Sequence, residues 1–263
     1  MEPPWENGPD RAEHLLGLHP QAGEVLSFYQ ALLVFQRSLF DSLEETDLSA
    51  VLSQDLPILM RYFDLFLDWT SEKGTTLLGS QAREISQWEK RKQQDLLLSY
   101  WRGEEIPGGN FFPKAFLQPY AASLASHEKT IQDRNIEKGS CPSCGGAPQT
   151  SYLQSPPSSA GAGSEGAGRY LICSLCFTDW PINRISCVQC REVNPYKLPY
   201  YQTEQIPAVR VEACDTCKYY IKGVDLTKDG LAVPLVDDIA TPALDLWAQE
   251  NGYTKVELNL TGT

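Results

Sequence analysis

All eight cysteines of this 263-residue chain occur in Cys-x-x-Cys pairs, and this spacing constrains the fold more than any other feature. Two intervening residues let both sulfurs of a pair face one point, which supplies half of a tetrahedral metal shell. Four pairs therefore predict two four-cysteine sites, each holding one mononuclear ion, either Fe or Zn. The candidate ligands are Cys141, Cys144, Cys173, Cys176, Cys187, Cys190, Cys214 and Cys217.

The order of the pairs allows two ways of sharing the metals. Sequential pairing places the first two pairs on one ion and the last two on the other, as in a zinc ribbon, whereas interleaved pairing gives a cross-brace. We favour sequential pairing, because each site then closes a hairpin-like loop. Closing the first loop costs about 3 kcal/mol, which is small beside the roughly 10–16 kcal/mol that a structural zinc site can return.

Other uses of paired cysteines fit the chain less well. A disulfide framework needs an oxidising compartment, but residues 1–23 are acidic and Pro-rich and do not resemble a leader. A thioredoxin-type centre needs only one pair, and the dense cysteine run of bacterial ferredoxins is absent. No apolar run reaches the roughly 18 residues of a membrane helix. We therefore expect a cytoplasmic protein without membrane insertion.

The charge balance argues against nucleic acid as a partner. Lys and Arg number 22 against 34 Asp and Glu, which gives a formal net charge of -12. A surface of this sign repels phosphate backbones, and the cysteine-rich region has no excess of basic residues. No Ser/His/Asp or paired-carboxylate constellation is visible either, so the sequence favours a binding protein over an enzyme.

Composition changes near Gly139, since all three His precede it and all eight Cys follow it. We expect a helical domain over residues 1–138 and a tandem metal-ribbon domain with a C-terminal helix over 139–263. Apolar residues at three- and four-residue spacing predict a helical bundle. Its four helices are expected at 24–43, 48–69, with a kink or break at Pro57, 77–101 and 113–137.

The second region has the short β-branched and aromatic runs of strands, at 168–173, 176–182 and 209–214. Residues 155–168 are expected to form a hairpin tip. A helix is predicted at 237–251, with Asp237 or Asp238 as its cap and Gly252 as its stop. Basic residues near the cysteines, including Arg169, Arg191 and Lys222, are expected to offset sulfur charge. The aromatic run 194–202 is a candidate partner surface.

Five motifs in this region occur together in one known family. They are CPSCGG at 141–146, GRYLICSLCFTDW at 168–180, RISCVQC at 184–190, VEACDTCKYYIK at 211–222 and DDIATPALDLWAQENGY at 237–253. In order and spacing they resemble the FdhE-type formate dehydrogenase accessory proteins. Two departures are present: Phe177, Arg191 and Lys218 follow three of the pairs where Gly would turn more easily, and Pro242 replaces an expected leucine.

The resemblance implies an α+β protein with an N-terminal helical bundle, two rubredoxin-like or zinc-ribbon units and a C-terminal helix. It implies that the eight cysteines bind two Fe or Zn ions. It further implies a cytoplasmic accessory protein that binds the catalytic subunit of formate dehydrogenase and supports formation of the active enzyme. The alternative is a rubredoxin-like electron carrier or oxidoreductase that acts through an iron tetrathiolate.

Overall fold

The computed structural model describes residues 2–104, 106, 109–129, 131, 134, 139–155 and 166–263. The first part of the chain is helical, and the second part is a sheet followed by two short helices. The helices of the first part are α1 (Gly8–Leu18), α2 (Gly23–Glu44), α3 (Leu52–Lys73), α4 (Thr76–Ser86), α5 (Lys90–Trp101) and α6 (Phe111–Ser126).

Helix α6 is the centre of this helical part. Its residues from Phe112 to Leu124 are all buried, because α2 and α5 pack against it and α3 contributes aromatic side chains. The side chains of Phe63, Phe66 and Phe116 form an aromatic cluster, with ring centroids 4.9 Å apart for Phe63 and Phe116. A helix that is buried all round needs apolar residues on every face, which explains why its periodicity is weak in the sequence.

The helical character of the four predicted segments is confirmed, but the number of helices and their bounds differ. The break expected as one alternative at Pro57 is wrong: α3 continues from Leu52 to Lys73 with Pro57 inside it, and it tolerates the loss of the hydrogen bond that a proline cannot donate. The segment 77–101 is two helices separated at residues 87–89, and α1 was not predicted. Helix α6 ends at Ser126, where Glu128 has a left-handed φ of 52°. The predicted extension to residue 137 falls largely outside the described residues.

The second part forms one sheet of seven strands. The strands are β1 (Pro148–Gln154), β2 (Gly168–Cys173), β3 (Asp179–Ile182), β4 (Tyr200–Gln202), β5 (Val209–Ala213), β6 (Tyr219–Asp225) and β7 (Thr254–Lys255). Their order is β3-β2-β1-β6-β5-β4, with β7 beside β6. Strands β2 and β5 confirm the predictions at 168–173 and 209–214, whereas β3 begins only at Asp179 because Cys176 belongs to a turn.

Two ribbon units make up this sheet. We call β1–β3 the first ribbon and β4–β6 the second ribbon; within each, neighbouring strands are antiparallel. The units join through β1 and β6, which run parallel with Thr150 opposite Lys222. The predicted hairpin tip at 155–168 lies mostly outside the described residues, although the flanking strands β1 and β2 pair as a hairpin requires.

An ion pair crosses the junction between the ribbons. Arg169 of the first ribbon contacts Glu212 of the second at 2.6 Å, and the Ser151 hydroxyl donates to the same carboxylate at 2.8 Å. The Glu212 side chain lies directly over Gly223, where a Cβ would come within 2.7 Å of its Oε1 atom. Gly223 is therefore required for this contact.

The predicted C-terminal helix is two helices, α7 (Pro234–Ala240) and α8 (Pro242–Glu250). The break occurs because Pro242 has no N–H and forces the preceding Thr241 out of helical geometry, at φ -120° and ψ 51°. The capping role expected for Asp237 or Asp238 is wrong, since both lie inside α7 and are buried. Gly252 does end α8, with φ 80°.

A single large hydrophobic cluster contains buried residues from the helices and from one face of the sheet, and a small second cluster of Leu171, Val188 and Ile221 covers the other face. We call these the inner and outer faces of the sheet. The fold class expected from the sequence is confirmed. The division of the chain at residue 138 stays a prediction.

Candidate metal centres

The first cysteine cluster is formed at one end of the first ribbon. Cys141 and Cys144 precede β1, Cys173 ends β2, and Cys176 lies in the turn between β2 and β3. The sulfurs of Cys141 and Cys176 are 3.5 Å apart, and those of Cys144 and Cys173 are 3.4 Å apart. Each pair closes a tight turn, in which the Cys141 N–H donates to the Gly146 carbonyl and the Cys173 N–H to the Thr178 carbonyl.

The second cluster repeats this arrangement in the second ribbon. Cys187 and Cys190 precede β4, and Cys214 and Cys217 lie between β5 and β6. The sulfurs of Cys187 and Cys217 are 3.6 Å apart, and those of Cys190 and Cys214 are 3.7 Å apart. The structure thus brings together the sequentially paired cysteines, as favoured from the sequence, and not the cross-braced set.

Both clusters have the dimensions of a tetrathiolate shell. A metal–sulfur distance of about 2.3 Å gives a tetrahedron with edges of about 3.8 Å. The four sulfurs of each cluster lie within 4.8 Å of one another, and all eight cysteines are free thiols. A disulfide would bring two sulfurs to about 2.05 Å, so the observed spacing excludes that bond. The donor chemistry fits one ion of Fe or Zn in each cluster, and the geometry does not choose between them.

Backbone amides point at the sulfurs. The N–H of Gly146 donates to Cys144 Sγ at 3.4 Å, that of Leu175 to Cys173 Sγ at 3.4 Å, and that of Gln189 to Cys187 Sγ at 3.4 Å. Such bonds stabilise thiolate charge and hold the sulfur orientation. Two of the basic side chains expected to offset this charge have other partners: Arg169 pairs with Glu212, and Lys222 lies in a buried cluster of carboxylates.

The residue after each second cysteine adopts a left-handed backbone conformation. Gly145 does so at φ 72°, and Phe177, Arg191 and Lys218 do so at 61°, 64° and 61°. The departure noted in the sequence therefore leaves the turn geometry intact. Three turns bear the conformational cost that glycine would avoid.

The thiols of the first cluster are electrostatically coupled. The hydrogen bond from Cys141 is the main cause that holds the pKa of Cys176 well below its ordinary value, whereas burial raises the pKa of Cys173 well above it. Four thiolates at this spacing repel one another, so without a cation only some of them ionise. A metal ion would remove this conflict and bind all four as thiolates.

The two clusters differ in exposure. In the first, all four cysteines are at most 4% exposed. In the second, Cys190 is exposed and Cys217 is partly exposed, while Cys187 and Cys214 are buried. The first cluster is covered by the helical part of the chain, whereas one side of the second faces solvent.

Contacts from the helices fix the first cluster in place, and none of them was predicted. The Gln36 amide of α2 donates to the Gln118 side chain of α6 at 2.8 Å, and Gln118 donates to the Ser174 carbonyl at 2.9 Å. The Phe177 ring packs edge-on against Trp5 at 5.2 Å. A buried glutamine inside an apolar helix is the sequence signal that could have indicated such a contact.

Two family models match this chain, and each matched segment contains one of the two cysteine clusters. The family model described as "FdhE, central domain" matches residues 140–184, which contain the first cluster, and "FdhE, C-terminal domain" matches residues 185–261, which contain the second. A "Protein FdhE homolog" of Aquifex aeolicus is 32% identical over 261 residues, covering 92% of this chain and 90% of the relative. The chain belongs to the FdhE family.

Other FdhE relatives match over a shorter segment. "Protein FdhE" of Escherichia coli K12 is 32% identical over 148 residues, which cover 55% of this chain and 45% of the relative. The crystal structure of the FdhE protein from Pseudomonas aeruginosa superposes with a TM-score of 0.73 over 99% of this chain and 97% of that one, at 23% identity. This similarity establishes the shared fold. Among the residues described, no helix combines the length and apolar character needed to cross a bilayer.

The last two FdhE motifs contribute to a buried charged cluster that the sequence did not indicate. We call Lys222, Asp238, Asp245 and Lys255 the buried ion cluster. Lys222 Nζ lies 2.9 Å from Asp238 Oδ1 and 2.5 Å from Asp245 Oδ2, and Lys255 Nζ lies 2.7 Å from Asp238 Oδ1. All four side chains are fully buried, so two cations neutralise two carboxylates. Nearby, Arg11 of α1 makes two bonds to Asp237.

Proposed function

We propose that this protein is a metal-binding accessory protein that binds the catalytic subunit of a formate dehydrogenase and supports formation of the active enzyme. The observation that carries the proposal is membership of the FdhE family over nearly the whole chain. The eight cysteines would be the ligands of two ions, one in each cluster. The cytoplasmic compartment expected from the sequence belongs to this proposal as well.

The clusters suit a structural role in such a protein. Each ribbon has only three short strands, and the outer face of the sheet has only a small hydrophobic cluster. Units of this size need a stabilising element besides their apolar core, such as a bound metal ion. A metal ion in each cluster would hold the turns of each ribbon together and keep its surface in one shape for recognition by a partner.

Co-purification tests the proposed partner. A tagged full-length chain, produced together with a formate dehydrogenase catalytic subunit from the same organism, is expected to elute with that subunit. An unrelated oxidoreductase of similar size, produced in the same way, serves as the control and should stay unbound. If the tagged chain elutes alone, and cells without it make fully active formate dehydrogenase, the proposal is wrong.

A second function, electron transfer, is favoured by one observation. Cys190 and Cys217 bring the second cluster to the surface, which would allow an iron ion there to exchange electrons with a partner. In that case the purified protein would be coloured by ferric thiolate absorption, and a mild reductant would bleach it reversibly. A colourless, zinc-loaded protein that still supports formate dehydrogenase assembly would exclude this function.

A further inference from the structure

The two ribbons are equivalent units placed head to tail in the sheet. In each, one strand follows the first cysteine pair, a second leads into the other pair and a third leaves it, so β1, β2 and β3 correspond to β4, β5 and β6. The outer edge of β1 receives β6 as a parallel neighbour. The corresponding edge of the second ribbon is β4, which in the described part of the chain pairs only with β5.

The backbone of β4 has hydrogen-bonding groups directed away from the sheet. Tyr201 lies opposite Val211, and the Ala213 N–H donates to the Pro199 carbonyl at 2.9 Å. Hydrogen-bonded and outward-facing residues alternate along an antiparallel pair. The N–H and C=O groups of Tyr200 and Gln202 therefore point outward, where another strand could pair with them.

The opposite edge of the sheet is blocked, unlike β4. Strand β3 contains Pro181 opposite Tyr170, and proline has no N–H to donate to a further strand. Strand β4 has the sequence Tyr-Tyr-Gln, without proline or charge. Proteins protect exposed edges with proline, with charge or by keeping the edge strand short; β4 has only three residues but neither proline nor charge, so its backbone groups stay available to a partner.

On the outer face, β4 borders a basic cavity of about 390 Å³. Arg169, Arg184, Arg210 and Glu212 line it, which leaves an excess of two positive charges among these four side chains. Arg210 and Arg169 share the Glu212 carboxylate, whereas Arg184 makes no ion pair among the described residues and is exposed. The cavity therefore has cationic groups to offer an acidic side chain.

The remaining residues that line this cavity would also accommodate an acidic side chain of a partner, which we call the guest. Cys187 and Cys214 also line it, but they are only 6% and 1% exposed, and their sulfurs face the other ligands of the second cluster. The exposed Tyr200 ring also lines the cavity, with the Arg210 guanidinium 5.2 Å from its centroid. A guest in the cavity would thus contact arginine side chains rather than the buried sulfurs.

On the inner face, β4 borders an apolar groove of about 740 Å³. Its lining includes Tyr201, Ile206, Leu244 and Trp247, and the Tyr201 and Trp247 rings lie 4.4 Å apart. Among the described residues, those that line this groove carry no charge. Tyr200 borders both openings, so the basic cavity and the apolar groove meet at β4.

We propose that β4 receives an extended strand of a partner protein in which acidic and apolar side chains alternate. Side chains of a strand point alternately to the two faces of a sheet, so acidic ones would meet the arginines and apolar ones the groove. By analogy with β1 and β6, the added strand runs parallel to β4. The proposal rests on the proposed function only in that the catalytic subunit would supply this strand.

A synthetic peptide tests the proposal without that subunit, so its failure would leave the proposed partner untouched. The probe is a labelled, end-blocked peptide of the sequence Leu-Glu-Leu-Glu-Leu-Glu-Leu, titrated with the full-length protein by fluorescence anisotropy. We expect saturable binding. The same peptide with lysine in place of glutamate is expected to bind at least about tenfold more weakly, because it places cations against arginine.

Gln202→Pro isolates the contribution of strand pairing, with Gln202→Ala as its matched control. Both remove the side chain, but only proline removes the outward N–H, and it leaves the bonds between β4 and β5 in place. We expect about tenfold weaker peptide binding in Gln202→Pro than in Gln202→Ala. Both variants should keep wild-type metal content. Arg184→Glu, an exposed change at the cavity, provides a second test and should also weaken binding.

Three results would overturn the proposal. The first is absence of saturable binding by the acidic peptide. The second is equal binding by Gln202→Pro and Gln202→Ala, which would place the peptide elsewhere than on the strand edge. The third is a wild-type dimer in sedimentation experiments that becomes a monomer in Gln202→Pro, since a second copy of this chain would then be the occupant of β4.

Discussion

At the scale of single residues, the residue after each Cys-x-x-Cys pair determines the conformational cost of the turn that presents the sulfurs. Phe177, Arg191 and Lys218 all adopt left-handed backbone angles, but they do so in different surroundings. Phe177 is buried against Trp5, whereas the Arg191 side chain is exposed and has no hydrogen bond or ion pair of its own among the described residues; its backbone N–H donates to the Cys187 carbonyl at 3.2 Å. Burial of the ring therefore offsets the backbone strain at Phe177, and no comparable apolar burial offsets it at Arg191.

Glycine substitutions should separate these two cases. Arg191→Gly is expected to raise the free energy of unfolding by up to about 1 kcal/mol, because glycine adopts the left-handed angle without steric cost. Phe177→Gly is expected to lower it by about 3 kcal/mol, since a buried ring is lost. Denaturant unfolding at a fixed metal concentration measures both. Equal effects in the two variants would show that the turn conformation alone determines stability.

A buried carboxylate gives a pH-dependent contribution. Burial alone would raise the pKa of Asp238, but attraction to Lys222 and Lys255 outweighs it and lowers the pKa to about 2. The stabilisation is therefore complete above the ordinary aspartate pKa of about 3.9 and is lost as the pH falls toward 2.

Asp238→Asn measures this contribution. At neutral pH we expect a loss of about 3–5 kcal/mol, because two buried lysines lose a partner. The difference between the wild type and the variant should shrink by about 1 kcal/mol between about pH 5 and about pH 3, as the unfolded wild type takes up a proton. Urea unfolding at several pH values gives this difference directly. A difference that does not change with pH would mean that folding leaves the pKa of Asp238 at its ordinary value, which would contradict the attraction to the two lysines.

At the scale of elements, the sequence predicts individual strands and cysteine clusters better than the contacts between them. The cysteine spacing gives both clusters, and the β-branched runs give β2 and β5, because these signals are local. The parallel contact of β1 with β6 joins residues that are far apart in the sequence. It depends on Gly223, which leaves room for the Glu212 side chain. The C-terminal break was also missed, because Pro242 suits either the first turn of a helix or the end of the previous one. The buried glutamines of α2 and α6 become informative only when their partners are known.

Gly223→Ala tests the joint between the ribbons. Its Cβ would lie 2.7 Å from Glu212 Oε1 and 2.9 Å from the Ser151 hydroxyl, and two arginines hold the carboxylate in place. We expect a loss of about 1–3 kcal/mol in the free energy of unfolding, as for overpacked sites. Gly230→Ala is the control, since its nearest contact would be at 3.8 Å. Similar stability of the two variants would contradict the role assigned to Gly223.

At the scale of the whole molecule, the chain places one cysteine cluster inside and the other at the surface. The first cluster is covered by α6 and the N-terminal segment through Ser174 and Phe177. The second has Cys190 at the surface. An ion held by the first cluster would therefore leave only when the helical part separates from the sheet, whereas one held by the second cluster could leave from the folded state.

Metal release should consequently occur in two phases. With excess chromogenic chelator, one ion per chain is expected to leave rapidly and the other slowly. Cys190→Ser should abolish the fast phase and leave the slow one, while Cys144→Ser should remove the buried ion and destabilise the helical part as well. Ser174→Ala, next to Cys173, is the control and should keep both phases. Full metal content in either cysteine variant would contradict its assignment as a ligand.

The head-to-tail order of the ribbons has a consequence for self-association. A repeat stacked by translation has no symmetry that closes it, so the same contact can in principle continue from chain to chain into a fibre. Pro181 stands where the next copy would have to attach, and it ends the series after two members. The imino acid on one border of the sheet thus lets the other border stay open without risk of polymerisation.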